Sequence, residues 1–147
     1  MSINRSEVHD LVAARLRQAE QVYTSGRREL VELLLDRGRP STVPDLIETR
    51  PKLTVSSMYR NMTTLESAGV VQRVIGSDER ARFELSEELI GHHHHLVCSV
   101  CGRVDDFVIP TRSERSLETA IERAIGDTGF RPRGHRLDIL GVCARCA

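Results

Sequence analysis

Two Cys-x-x-Cys pairs, Cys98-x-x-Cys101 and Cys143-x-x-Cys146, constrain this chain more than any other feature. Each pair can grip one metal ion through a tight knuckle, and together they supply the four thiolates of a closed tetrahedral zinc site. The gap between residues 101 and 143 is longer than in a zinc ribbon, so the site ties the end of one strand to the terminal segment. Ligation couples to folding and contributes on the order of 10 kcal/mol. That matters for an aromatic-poor chain with three Phe, two Tyr and no Trp. The competing reading is thiol redox chemistry, but a redox pair needs no second pair and usually opens a helix.

Just before the first pair stands GHHHHLVCSVCGRVDDF, residues 91 to 107. On a strand, successive side chains point to opposite faces. His92 and His94 then share one face and His93 and His95 the other, so one stretch feeds two sites. Each face needs about two further ligands. His135 and Glu118 are candidates for the first, Glu84 and Asp106 for the second. Glu84 lies in the preceding half of the chain, so a site on that face spans the joint. The plainer alternative is a solvated polar tract.

The first half carries helical patterns. SEVHDLVAARLRQAE is capped by Ser6; RRELVELLLDRGRP closes at Gly38 and Pro40; STVPDLIETRP gives a short helix from about Val43 to Thr49. LTVSSMYRNMTTLESAGV gives a fourth, opening at Thr54 or Ser56 and ending at Gly69, with Val55, Met58, Met62 and Leu65 inward. VVQRVI and RARFELSE around GSDE read as a β-hairpin. Helices followed by a hairpin make the winged-helix order, with one helix placed in the DNA major groove. Ser56, Ser57, Tyr59 and Arg60 occupy the first turns of that helix, suited to phosphate and thymine-methyl contacts.

From His92 onward the order is strand, knuckle, strand (RVDDFVI), helix (about Arg112 to Asp127), strand (HRLDILGVC) and knuckle. The expected class is α+β: a winged-helix DNA-binding domain over residues 1–88, then a small metal-binding α/β domain over residues 89–147. Lys plus Arg and Asp plus Glu balance at 21 each, so DNA binding must come from local arrangement. No run approaches the roughly 18 apolar residues of a spanning helix. The expected location is the cytoplasm, with neither signal peptide nor anchor and no membrane partner.

In combination, TSGRRELVELL, VSSMYRNMTTLESAGVVQRV, FEL, HHHHLVCSVCGRVDDF and GHRLDILGVCARC resemble, nearly end to end, the ferric uptake regulator family of metal-dependent bacterial repressors. The resemblance implies a homodimer, joined through the second domain, that binds an inverted-repeat double-stranded DNA operator. It places structural zinc on Cys98, Cys101, Cys143 and Cys146. A regulatory hinge site falls on Glu84, His93, His95 and Asp106, for a second divalent metal: zinc, iron(II) or manganese(II). Another site falls on His92, His94, Glu118 and His135, with Ser113 or Glu114 as alternatives to Glu118. Arg39-Pro40-Ser41 stands where iron and peroxide sensors usually place a His. Gln72 and Ser86 stand where zinc sensors often use Asp and Cys. His94 replaces the Asp common in iron sensors. Val22 stands where a basic residue often reaches the minor groove, leaving Arg27 or Arg28 to supply that contact. A peroxide sensor acting through His oxidation is the alternative within this fold. From another class, a zinc hydrolase would need a general base that is not itself a ligand.

Overall fold

A computed structural model of the chain describes residues 4–49 and 53–147. Four helices come first: α1 Arg5–Gln18, α2 Ser25–Arg37, α3 Val43–Ile47 and α4 Val55–Ser67. Their apolar faces meet in one core that includes Val12, Leu16, Leu30, Leu46, Met58, Met62 and Leu65. Side-chain oxygens satisfy backbone N–H groups left free at each helix start. The caps are Asn4, Thr24, Thr42 and Thr54. At α3 the cap is reciprocal, with Thr42 and Asp45 each accepting from the other's backbone N–H.

Several local expectations shift. Asn4, not Ser6, caps α1. The third helix stops at Ile47, and the Thr49 hydroxyl donates to the Leu46 carbonyl at 2.7 Å instead of continuing it. Val55 is 48 % exposed rather than inward, because the first residue of α4 lies beyond the edge of the core.

Strands β1 Val71–Ile75 and β2 Ala81–Leu85 form the antiparallel hairpin, joined through the turn at residues 76–80. Ser41 exchanges two backbone hydrogen bonds with Phe83, anchoring the hairpin to the loop before α3. A short helix, α5 Glu87–Ile90, follows; Leu89 and Ile90 pack on the helical core. Arg15 of α1 reaches the Gly69 carbonyl, Ser86 and Glu88, fastening the start of the connection.

The second half is a three-stranded sheet in the order β4-β3-β5, with β3 His94–Cys98, β4 Val104–Phe107 and β5 Asp138–Gly141. β3 runs antiparallel to β4 and parallel to β5. Helix α6, Thr111–Ile125, and one 3-10 turn lie between β4 and β5. β3 spans HHLVC, whereas β4 and β5 are shorter than the runs RVDDFVI and HRLDILGVC; ladder pairing begins at His94 and at Asp138, leaving His92, His93 and His135 in the segments that lead into the strands.

The hairpin lies against one face of this sheet. Val74 joins Val97 and Val104 in a second buried cluster. The Ser77 hydroxyl donates to the Cys98 carbonyl at 2.6 Å, and the buried Arg82 guanidinium binds both Asp78 oxygens at 2.7 and 2.9 Å. Asp78 covers Gly102 so closely that a Cβ there would sit 2.3 Å from its carboxyl carbon. The turn of the hairpin is therefore seated on the first cysteine knuckle.

Candidate metal centres

Three groups of four side chains each offer ligand atoms lying within 4.8 Å of one another. The first is Cys98, Cys101, Cys143 and Cys146, all free thiols. The knuckle after β3 brings two of them, and the segment after β5 brings the others. Cys101 Sγ and Cys143 Sγ are 3.8 Å apart. That is far longer than a disulfide bond, yet matches the separation of about 3.8 Å between two thiolates on one tetrahedral zinc. Backbone N–H groups of Cys101, Cys143 and Val100 aim at Cys98 and pull its thiol down to about 6. Partial charge of that kind suits an anionic ligand.

The second group is Glu84, His93, His95 and Asp106. The β3 and β4 register sets His95 opposite Asp106, and β2 lays Glu84 over the same face. Glu84 receives both imidazoles, His93 Nε2 at 3.1 Å and His95 Nε2 at 2.9 Å. Asp106 lies 3.8 and 3.7 Å from the same two nitrogens. Burial pushes the Glu84 carboxyl up, but hydrogen bonds from His93, His95 and the Gln72 amide outweigh it and hold it at about 2. Burial and the charge of Glu84 push Asp106 up to about 6. The hydrogen bond to Glu84 raises His93 to about 9. Asp106 Oδ1 is buried with no hydrogen-bond partner. Two imidazoles, two carboxylates and an orphaned oxygen aimed into the cluster fit a divalent cation, whose charge would satisfy that oxygen and displace protons from the histidines.

The third group is His92, His94, Glu114 and His135, on the opposite face of β3. Glu114 oxygens lie 3.3 Å from His92 Nε2, 3.0 Å from His94 Nε2 and 2.7 Å from His135 Nε2. The His135 nitrogen, though so near, makes no hydrogen bond. Of the residues weighed for this group, the structure brings Glu114 to the three rings, and neither Glu118 nor Ser113. Glu118 is exposed one helical turn further along α6, while Glu114 in the first turn faces the three rings.

Of the residues expected to meet DNA, Ser56, Tyr59 and Arg60 are exposed on α4. Ser57 and Arg27 are partly covered. Both bond to Asn61, and the Arg27 guanidinium also donates to the Val22 carbonyl at 2.6 Å. Asn61 was not expected. The polar network around it lies one turn after Ser57, a spacing the sequence does reveal.

Residues 18–140 match the profile of the Ferric uptake regulator family. The chain belongs to the ferric uptake regulator family. Among relatives, the peroxide operon regulator of Bacillus subtilis is 28 % identical over 128 residues, covering 84 % of this chain and 83 % of the relative. The peroxide-responsive repressor PerR of Staphylococcus aureus is 29 % identical over 145 residues, 95 % of this chain and 91 % of the relative. The ferric uptake regulator Fur of Helicobacter pylori, whose structure is described as having three functional metal binding sites, superposes with a TM-score of 0.77. It covers 99 % of this chain and 97 % of its own at 19 % identity, a likeness of fold. A zinc-bound manganese uptake regulator gives 0.67 at 29 % identity, covering 92 % and 98 %. These ferric uptake regulator relatives are α+β regulators of transcription, and metal binding recurs among them. Among the described residues no helix is long and apolar enough to cross a membrane.

Proposed function

We propose that this chain is a metal-responsive transcriptional repressor that binds an inverted-repeat operator as a homodimer when its regulatory metal is bound. The observation that carries this reading is the convergence of Glu84, on the hairpin of the helical half, with His93, His95 and Asp106 of the sheet half. An ion held by both halves selects one angle between them. Metal shifts that balance only by its preference for the closed form, and a tenfold change in operator affinity needs about 1.4 kcal/mol. We assign structural zinc to the four cysteines, and zinc, iron(II) or manganese(II) to the hinge cluster. Residues 1–88 and 89–147 are taken as the two domains, in a cytoplasmic protein.

Edge strand β5 and α6 support dimerisation. Leu140 is 73 % exposed, β5 has a free edge, and α6 buries no residue despite its apolar stripe of Leu117, Ile121 and Ile125. Ser56, Tyr59 and Arg60 present the DNA-facing side of α4, with Ser57 and Arg27 held beside them.

The test is operator binding by protein stripped of hinge metal, titrated with zinc, iron(II), manganese(II) and nickel(II). The regulatory ion restores binding at the lowest free concentration; restoration by none overturns the reading. A second reading, peroxide sensing, draws on the two peroxide-responsive relatives. It requires one oxygen atom added to His93 or His95 after peroxide treatment of iron-loaded protein. An unchanged mass removes it. The carboxylates that face the ring nitrogens without belonging to the ligand groups, Asp138 at His95 Nδ1 and Glu87 at His92 Nδ1, hydrogen-bond the rims of the imidazoles, which suits metal holding better than a hydrolase.

A further inference from the structure

His95 is held from both sides. Its Nε2 faces Glu84 and Asp106, while its Nδ1 lies 3.2 Å from Asp138 Oδ1. Asp138 opens β5 and is the ladder partner of His95 across the parallel pair, so the two side chains share one face of the sheet. It does not belong to the four-residue hinge cluster, since it meets the opposite edge of the ring. The other imidazole of that cluster, His93, is oriented differently, its Nδ1 donating to the Gly91 carbonyl at 2.9 Å.

We propose that Asp138 is a positioning residue for the hinge metal: its carboxylate accepts the His95 Nδ1–H, fixing the ring so that Nε2 carries the lone pair the metal takes. This rests on the hinge cluster being the regulatory metal site. An imidazole that binds metal through one nitrogen donates through the other, and a carboxylate acceptor both sets the tautomer and strengthens the ligand. Asp138 adds a third negative charge beside Glu84 and Asp106 without occupying a coordination position. It also ties the ligand to the exposed edge strand, so that a change at β5 reaches the hinge through one hydrogen bond.

The experiment compares wild type, Asp138→Ala, Asp138→Asn and His95→Ala, each retaining zinc on the cysteines. Zinc and manganese(II) affinity at the hinge is measured by competition with a chromophoric chelator. Asp138→Ala is expected to weaken hinge binding about 10- to 100-fold. Asp138→Asn, which keeps an acceptor but not the charge, loses less. Cysteine-site zinc content and the thermal midpoint of hinge-free protein stay as in wild type. In the zinc-loaded protein, the downfield Nδ1–H proton of His95 is present in wild type, shifted in Asp138→Asn and lost in Asp138→Ala. Equal hinge affinity and an unchanged ring-proton signal in Asp138→Asn and Asp138→Ala overturn the proposal. If Asp138→Ala does not fold, Asp138→Asn decides by the same two readouts. Equal hinge affinity in wild type and His95→Ala instead overturns the hinge-site reading, and the proposal with it.

Discussion

His94 and His95 are neighbours in the chain but serve different clusters: His94 Nε2 meets Glu114 at 3.0 Å, and His95 Nε2 meets Glu84 at 2.9 Å on the opposite face of β3. Substituting one should leave the other cluster in place. His95→Ala is expected to abolish metal-dependent operator binding. His94→Ala should keep the hinge stoichiometry and lose metal at the Glu114 cluster. Equilibrium dialysis of the two variants, with operator binding measured in parallel, checks the separation. Equal metal loss from both clusters in either variant would contradict it.

Glu114 and Glu118 offer a sharper comparison, because both are acidic and one turn apart on α6. Glu118→Ala removes an exposed side chain and should change stability by no more than about 0.5 kcal/mol, with metal content unchanged. Glu114→Ala removes the carboxylate that faces three imidazoles and should empty that cluster. Metal analysis after gel filtration distinguishes the two.

Removing a knuckle thiol should cost most. Cys143→Ser leaves three thiolates where tetrahedral zinc needs four, and structural zinc contributes on the order of 10 kcal/mol to folding. The expected result is loss of tightly held zinc and a large fall in the thermal midpoint. A variant as stable as wild type would refute structural zinc here.

Gly102 stands at φ +74 beneath the Asp78 carboxylate. Gly102→Ala therefore strains the backbone and drives a Cβ into that side chain. The expected cost is about 1–3 kcal/mol, with faster hydrogen exchange at the Ser77 to Arg80 turn. Gly126→Ala is the control, since nothing lies within 4 Å of its added carbon and its φ is negative. It should be neutral or stabilising by up to about 1 kcal/mol.

The same turn should respond to acid. The hydrogen bond from Arg82 holds the Asp78 carboxyl at about 2, below its ordinary 3.8. A folded value below the unfolded one means that the pair's stabilisation is fully present above about pH 4 and disappears as pH falls through about 2. Urea midpoints across that range should show a slope that Asp78→Asn reduces. An unchanged slope in the variant would mean that other carboxylates carry it.

Much of this arrangement was legible in the sequence. The spacing of the cysteines and the alternation of four histidines required no tertiary knowledge, and the fold brings the carboxylates of Glu84 and Asp106 within 4.8 Å of the His93 and His95 imidazoles. Glu114 was harder to choose, because residues four apart lie on the same face of a helix about 6 Å apart along its axis. Which turn faces the rings depends on where α6 starts relative to the sheet. The seating of the hairpin turn on the cysteine knuckle was not legible at all. It arises where two distant turns meet, and its signals are Gly76, Gly102 and a buried Arg82, each unremarked in local pattern.

The Val74, Val97 and Val104 cluster has a consequence for which metal site is which. A slip of β3 by one residue would turn every side chain to the other face. Because the run is four imidazoles long, two histidines would still point each way, so counting histidines cannot detect the error. Val97 can: it is 6 % exposed under the hairpin, while Leu96 on the other face is 43 % exposed. A slipped strand would bury Leu96 against Val74 and expose Val97, and would hand His94 to Glu84. Three valines with no ligand chemistry thus act as the reading frame of the histidine run, deciding which imidazoles belong to which ion.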